Sequence, residues 1–167
     1  MALKTDIRGM IWRYADCFEV GREQLRAYAQ SIKNDHPAYY TEDAAAELGH
    51  SAILAPLTFG TILAKLVQLD FFRNVDIGME NMVIVQVDQR FVFLKPIKAG
   101  DRLWARMEVQ SVTERFGADI VVTKNICTND QGEPVLEAYT TLMTQYAEQS
   151  ENLRWDPESG QVVRKAN

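Results

Sequence analysis

The chain has 167 residues, 47% hydrophobic and 25% charged, which bounds it to one globular domain able to hide about 70% of its unfolded surface. Its net charge of -5 lacks the basic footprint that nucleic-acid phosphates demand. The longest apolar run, Leu57–Phe72, is interrupted by Lys65, Gln68 and Asp70, and the start MALKTDIRGM has no signal-like apolar stretch; no membrane insertion is expected, and the cytoplasm is the expected compartment.

In chain order, Ile11–Val20 reads as irregular or as a short strand, ended by Gly21. Arg22–Lys33 carries Leu25, Tyr28, Ala29 and Ile32 at amphipathic-helix spacing, and Pro37 prevents its continuation. Thr41 is a candidate N-cap for a short helix with Glu42 and Asp43 in its first turn, running to Leu48 with Gly49 beyond it. Pro56 is expected in the first turn of a helix over Leu57–Phe72, whose apolar residues fill more than one stripe and predict burial on most sides.

From Met82 the residues become β-branched and aromatic. Met82–Leu94 alternates from Val85, with Val85, Val87, Gln89, Phe91 and Phe93 on one face. KPIKAGD is turn chemistry, Arg102–Arg115 alternates again, and Phe116–Gly117 turns the chain. Ala118–Thr128 and Pro134–Gln145 are strands joined by the hairpin signal NDQGE. A buried helix followed by consecutive strands is α+β with an antiparallel sheet. The domain is expected over residues 1–146. The tail 147–167 is polar, with Leu153, Trp155, Val162 and Val163 as its only apolar anchors, and either packs on a partner or frays.

Cys17 and Cys127 have no metal-ligand spacing and read as small core or half-buried residues. With His36 and His50 the only histidines, no metal and no cofactor are expected.

The segment Ser31–Tyr39, SIKNDHPAY, is followed by the Ala-rich DAAAELG, by ILAPLT at Ile53–Thr58 and by QRFVFLKPIKAGDRL at Gln89–Leu103. This series resembles the MaoC-like (R)-specific hydratases and dehydratases of the hot-dog fold, in which a long central helix is wrapped by an antiparallel sheet. Their active-site loop reads G-D-x-N-P-[LI]-H. Anchoring on Pro37 sets Lys33 at the glycine, Asn34 at the catalytic aspartate, His36 at the asparagine and Tyr39 at the catalytic histidine. Pro56 stands where a His–Gly pair begins in active members. The match covers about Phe18–Gln145, and APLTF, IVQVDQRF and FGADIVVTKN are similar to the C-type subunits of heterodimeric (3R)-hydroxyacyl-acyl-carrier-protein dehydratases of mycolic-acid elongation.

The resemblance implies a scaffold without its acid–base pair. Dehydrating a β-hydroxyacyl thioester needs a base for the α-proton and an acid or water-positioning carboxylate for the departing hydroxide. A tyrosine, ordinarily near pKa 10, is a poor base, and asparagine does not titrate. Losing both roles costs about two factors of 100- to 10,000-fold, so the isolated chain is expected to be inactive. A register shift placing Asp35 as the acid puts Tyr40 at the histidine position, still without a base. His36 reads as a locally bonded loop residue and His50 as a solvated one.

The start and apolar face of the Leu57–Phe72 helix either bind substrate, with Pro56, Leu57, Thr58 and Leu63 as the candidate positions, or are ordinary core; Pro56 deletes an N–H on the oxyanion side of the implied site, where Leu57 still offers one. The partners the resemblance implies are a catalytic subunit with the Asp/His pair, an acyl carrier protein and a long-chain acyl thioester. Lys95, Lys98 and Arg102 cluster at the Pro-Ile corner, either as a carrier-protein contact or as a solvated basic corner. The rival reading is a homodimeric acyl-thioester-binding hot-dog protein without activity. A thioesterase using Asp70 or Glu80 is a third.

Overall fold

In a computed structural model, residues 3–78, 82–115 and 117–146 are described, with 145 and 146 as backbone, together with the backbone of two short tail strands. Two brief strands, β1 (Ile11–Arg13) and β2 (Phe18–Glu19), precede helix α1 (Arg22–Ser31). Leu25 and Ala29 are the buried residues of α1. Helix α2 (Glu42–Glu47) is capped by Thr41, whose Oγ1 accepts the Ala44 N–H at 3.3 Å, and Gly49 follows it at φ +83°.

The expected long helix splits in two. Leu57–Phe59 form a 3-10 turn, and helix α3 spans Gly60–Asn74. Pro56 is the N-cap of that turn rather than a residue of its first turn, at φ -55° and ψ 147°, and its carbonyl accepts the Phe59 N–H at 2.8 Å. The tighter turn delivers Gly60 onto the sheet. The buried residues of α3 are Gly60, Leu63, Ala64, Val67, Gln68 and Phe71, a single stripe at i, i+3, i+4, i+7, i+8 and i+11. The opposite side keeps Lys65, Leu69 and Arg73 exposed, so the helix lies on the sheet instead of being enclosed.

The long strands are β3 (Met82–Phe93), β4 (Arg102–Arg115), β5 (Ala118–Thr128) and β6 (Pro134–Tyr146). The antiparallel sheet runs β1-β4-β5-β6-β3, with β2 also paired to β4. Leu103, Ala105, Met107 and Val109 of β4 face α3, as do Val121, Thr123, Asn125 and Cys127 of β5. Burial pushes the Cys127 thiol up to about 12, whereas Cys17 is half-buried. In the tail, β7 (Leu153–Asp156) pairs with β8 (Gln161–Arg164). The side-chain anchors expected there lie outside the described residues, as does Phe116 of the expected turn.

The single alternation frame expected for β3 does not hold. The register shifts between Gln86 and Asp88, so Val87 is an extra residue in a bulge. Beyond it Gln89 and Phe91 are half-buried as expected; before it Val85 turns outward, 46% exposed, and Ile84 takes the inner side.

The chain before β1 seals the far end of α3. Leu3 and Ile7 are buried, and the Leu3 N–H donates to the buried Asp119 carboxylate at 3.0 Å. Trp12 packs edge-on against Phe71 and donates through Nε1 to Asp70 at 2.8 Å. Asp70 is thereby a structural acceptor, and Glu80 lies outside the described residues.

Candidate functional site

The site begins where α1 ends. The N–H groups of Lys33 and Asn34 fold back to the carbonyls of Gln30 and Ala29, at 3.0 and 2.9 Å. This reversal needs a left-handed residue, which Lys33 supplies at φ +55°, the one non-glycine with positive φ among the described residues. It is the position that sequence alignment assigns to the motif glycine. Asn34 then uses both oxygens locally: Oδ1 accepts the His36 N–H at 3.3 Å, and its carbonyl accepts the Tyr40 hydroxyl at 2.9 Å.

His36 caps a 3-10 turn over Pro37–Tyr39, its Nδ1 accepting the Ala38 N–H at 3.3 Å. Its ring centre stands 5.5 Å from that of Tyr39. The buried Ala38 accepts the Leu54 N–H at 3.0 Å, which ties the loop to the stretch before α3. That stretch is itself bonded to the Pro-Ile corner: Ala55 N–H to the Ile97 carbonyl and Ala99 N–H to the Ile53 carbonyl, both at 2.8 Å.

These ties enclose an apolar groove of about 340 Å³. Tyr39, Leu54, Pro56 and Leu57 form one wall; Phe93, Leu94, Lys95 and Ile97 form the other. Among the described residues lining it, Tyr39 and Lys95 alone are titratable, and neither a histidine nor a carboxylate is present. The N–H groups of Leu57 and Thr58 belong to the opening turn, where a helix leaves its first donors without intrahelical acceptors. The groove therefore offers apolar contact and, among its described lining residues, no histidine or carboxylate to act as a base.

Of the candidate site residues read from sequence, Tyr39, Pro56, Leu57 and Lys95 come together in this groove. Asn34 does not line it. Thr58 is exposed, and its Oγ1 meets the Tyr28 hydroxyl at 3.0 Å. Leu63 is core, 3% exposed, beneath α3. Leu54, Phe93, Leu94 and Ile97 were not singled out by the sequence, because their role depends on the pairing of two distant loops.

Lys95, Lys98 and Arg102 do gather around a neighbouring hollow. Each already has a partner: Lys95 pairs with Glu133, Lys98 donates to Ser51 at 3.0 Å, and Arg102 lies within 3.8 Å of Glu19 and Asp130. Lys95 and Asn129 hold the Glu133 carboxyl below the usual carboxylate range. Lys95 and Arg102 are thus paired with acids, while Lys98 is held by a neutral hydroxyl.

Comparison with known proteins agrees with this frame. Residues 11–138 match the family described as FAS1-like, dehydratase domain region. A UPF0336 protein of Mycolicibacterium paratuberculosis is 79% identical, covering 99% of this chain and all of the relative. A chain in the crystal structure of a C-terminally truncated HadBC (3R-hydroxyacyl-ACP dehydratase) complex from Mycobacterium tuberculosis is 71% identical, with a TM-score of 0.80, covering 84% of this chain and 99% of that one. A structure described as a MaoC-like dehydratase is 29% identical with a TM-score of 0.80; it covers 97% of this chain, which spans 52% of it. The fold, the loop ties and these matches agree: the chain belongs to the FAS1-like dehydratase-region family and carries its MaoC-like hot-dog fold.

Proposed function

We propose that the chain is the non-catalytic, C-type subunit of a heterodimeric (3R)-hydroxyacyl-acyl-carrier-protein dehydratase. In this role it stabilises a catalytic partner and accommodates part of a long acyl chain during fatty-acid or mycolic-acid elongation. The observation that carries the reading is Tyr39. It lines the groove, the alignment on Pro37 gives it the position of the family's histidine, and among the described lining residues no other side chain can take a proton from carbon at neutral pH. The likeness to a chain of the HadBC complex supports assignment to such a heterodimer.

The free edge of the sheet supports the pairing. Among the described residues strand β3 bonds only to β6, and Val83, Val85 and Val87 are about half exposed along it. An apolar edge strand of twelve residues is a template for another chain. The partner brings the Asp/His pair: histidine removes the α-proton and the aspartate positions the departing water. This chain contributes the groove, in which each buried methylene of substrate is worth about 0.8 kcal/mol. The unit that does this is residues 1–146.

The test is co-expression with a dehydratase subunit retaining D-x-N-P-x-H, followed by hydration of a long enoyl thioester. Activity should vanish when the partner's histidine is replaced and survive Tyr39→Phe here. Hydration by this chain alone would refute the proposal. A stable homodimer that refuses the partner would favour the rival reading of an inactive acyl-thioester-binding protein.

A further inference from the structure

At the sheet edge opposite β3, two arginines face each other. Arg13 of β1 and Arg106 of β4 are direct antiparallel partners, so their side chains share one face. That face is the outer one, because the neighbouring pair Trp12 and Met107 points inward to Phe71 and the core. Like charges directly opposite are destabilising, and such pairs are ordinarily relieved by an acid. Arg106 has Glu108, at 3.1 Å, but Glu108 stands opposite Ile11 and not Arg13. Arg13 is exposed and has no ion-pair partner among the described residues.

Beside the pair lies a hollow of about 520 Å³, with Tyr14, Trp104, Ile126 and Pro134 among its walls and no acidic residue among the described residues lining it. A positively charged, aromatic hollow on a chain of net charge -5 is a local reversal of the protein's field. Arginine beside tyrosine and tryptophan is the composition of energetically central interface positions.

We infer that the Arg13/Arg106 hollow is a docking site for an acidic protein segment, one that sets carboxylates against the two guanidinium groups and an apolar residue against Trp104. Charge complementarity selects this occupant, since a carboxylate can bridge the guanidinium forks and remove the repulsion between them. The site lies at the edge away from β3, so it stays accessible while β3 is paired, and it does not depend on the proposed dehydratase role.

The test uses the full chain and a fluorescein-labelled twelve-residue peptide rich in Glu and Asp with one Leu and one Pro, read by anisotropy at low salt. Arg13→Glu with Arg106→Glu should weaken binding about tenfold or more, while Glu108→Gln, which frees Arg106, should strengthen it. Lys65→Glu with Arg73→Glu makes the same charge change at exposed positions on α3 and should leave binding within about twofold. Arg13→Glu alone should also raise the melting temperature, which verifies folding and the strain of the pair. Equal losses in both double variants would overturn the inference, as would displacement of the peptide by ADP or inorganic phosphate at lower concentration than by unlabelled peptide.

Discussion

Leu136 of β6 lies directly beneath Gly60 of α3: a Cβ at Gly60 would come to 2.3 Å from the Leu136 Cδ2. Leu136 is itself fully buried, so its methyl has little space to yield. Gly60→Ala should therefore destabilise by about 1–3 kcal/mol, the ordinary cost of overpacking. Leu136→Ala in the same chain should recover part of that loss. A double-mutant cycle by urea unfolding checks it, and additive losses would show that the contact is not the cause.

Lys33 gives a prediction of opposite sign. A left-handed conformation costs a non-glycine residue about 1–2 kcal/mol, set against the extra unfolded-state freedom of glycine. Lys33→Gly should be neutral to about 1 kcal/mol stabilising, and Lys33→Val destabilising, because a β-branched side chain tolerates positive φ least. Thermal denaturation of the three chains should rank them Gly, Lys, Val.

The β3 edge separates pairing from folding. Val85 is 46% exposed, with Met143 of β6 as its register partner. Val85→Lys should leave the unfolding midpoint of the lone chain within about 0.5 kcal/mol, as an exposed substitution does. On size exclusion it should weaken or abolish complex formation with the catalytic subunit, because an inserted charge blocks edge pairing. An unchanged elution profile would place the partner elsewhere.

On the outer face, Lys124 donates to Glu137 at 2.7 Å, and Tyr139 joins the same carboxylate at 2.9 Å. The Lys124 bond, then that of Tyr139, hold the Glu137 carboxyl below its usual range. A depressed folded pKa gives stability that is full above the unfolded value, near 4.3, and is lost as pH falls through the folded value. Glu137→Gln should therefore flatten the fall in stability below about pH 4.3 and cost about 0.5–1 kcal/mol at pH 7. Urea midpoints from pH 3 to 7 measure both.

Much of this was readable before any coordinates. The Thr41 cap, the Gly49 terminus and the bounds of β4 and β5 all rest on local chemistry, which needs only neighbours in sequence. What was not readable has a different cause. Val85 faces outward because one extra residue at Val87 inverts the frame, and a bulge leaves no sign in a run of valines. Leu63, open in sequence between groove and core, is core, because it falls on the buried stripe of α3 with Gly60, Ala64 and Val67. The sequence leaves the basic corner open between contact and solvated surface, because Glu133, Glu19 and Asp130, which pair with Lys95 and Arg102, arrive from distant segments.

Asn125 offers the sharpest test of the interior. It lies on β5 between Met107 and Ala138, with no exposed surface, and neither amide atom has a hydrogen-bond partner among the described residues. Two residues away Thr123 is satisfied by Gln68 at 3.2 Å, so the sheet can serve a polar side chain at that depth. Desolvating an amide without a partner costs about 1–3 kcal/mol, whereas an apolar side chain of the same shape gains from the same burial. Asn125→Leu should accordingly raise stability by about 1–3 kcal/mol, read by urea unfolding of the purified chain. Asn125→Asp should lower it sharply, because a buried unpaired charge costs far more than an amide. A loss of stability in the leucine variant would show that an internal water serves the amide, which would place a solvated pocket beneath α3.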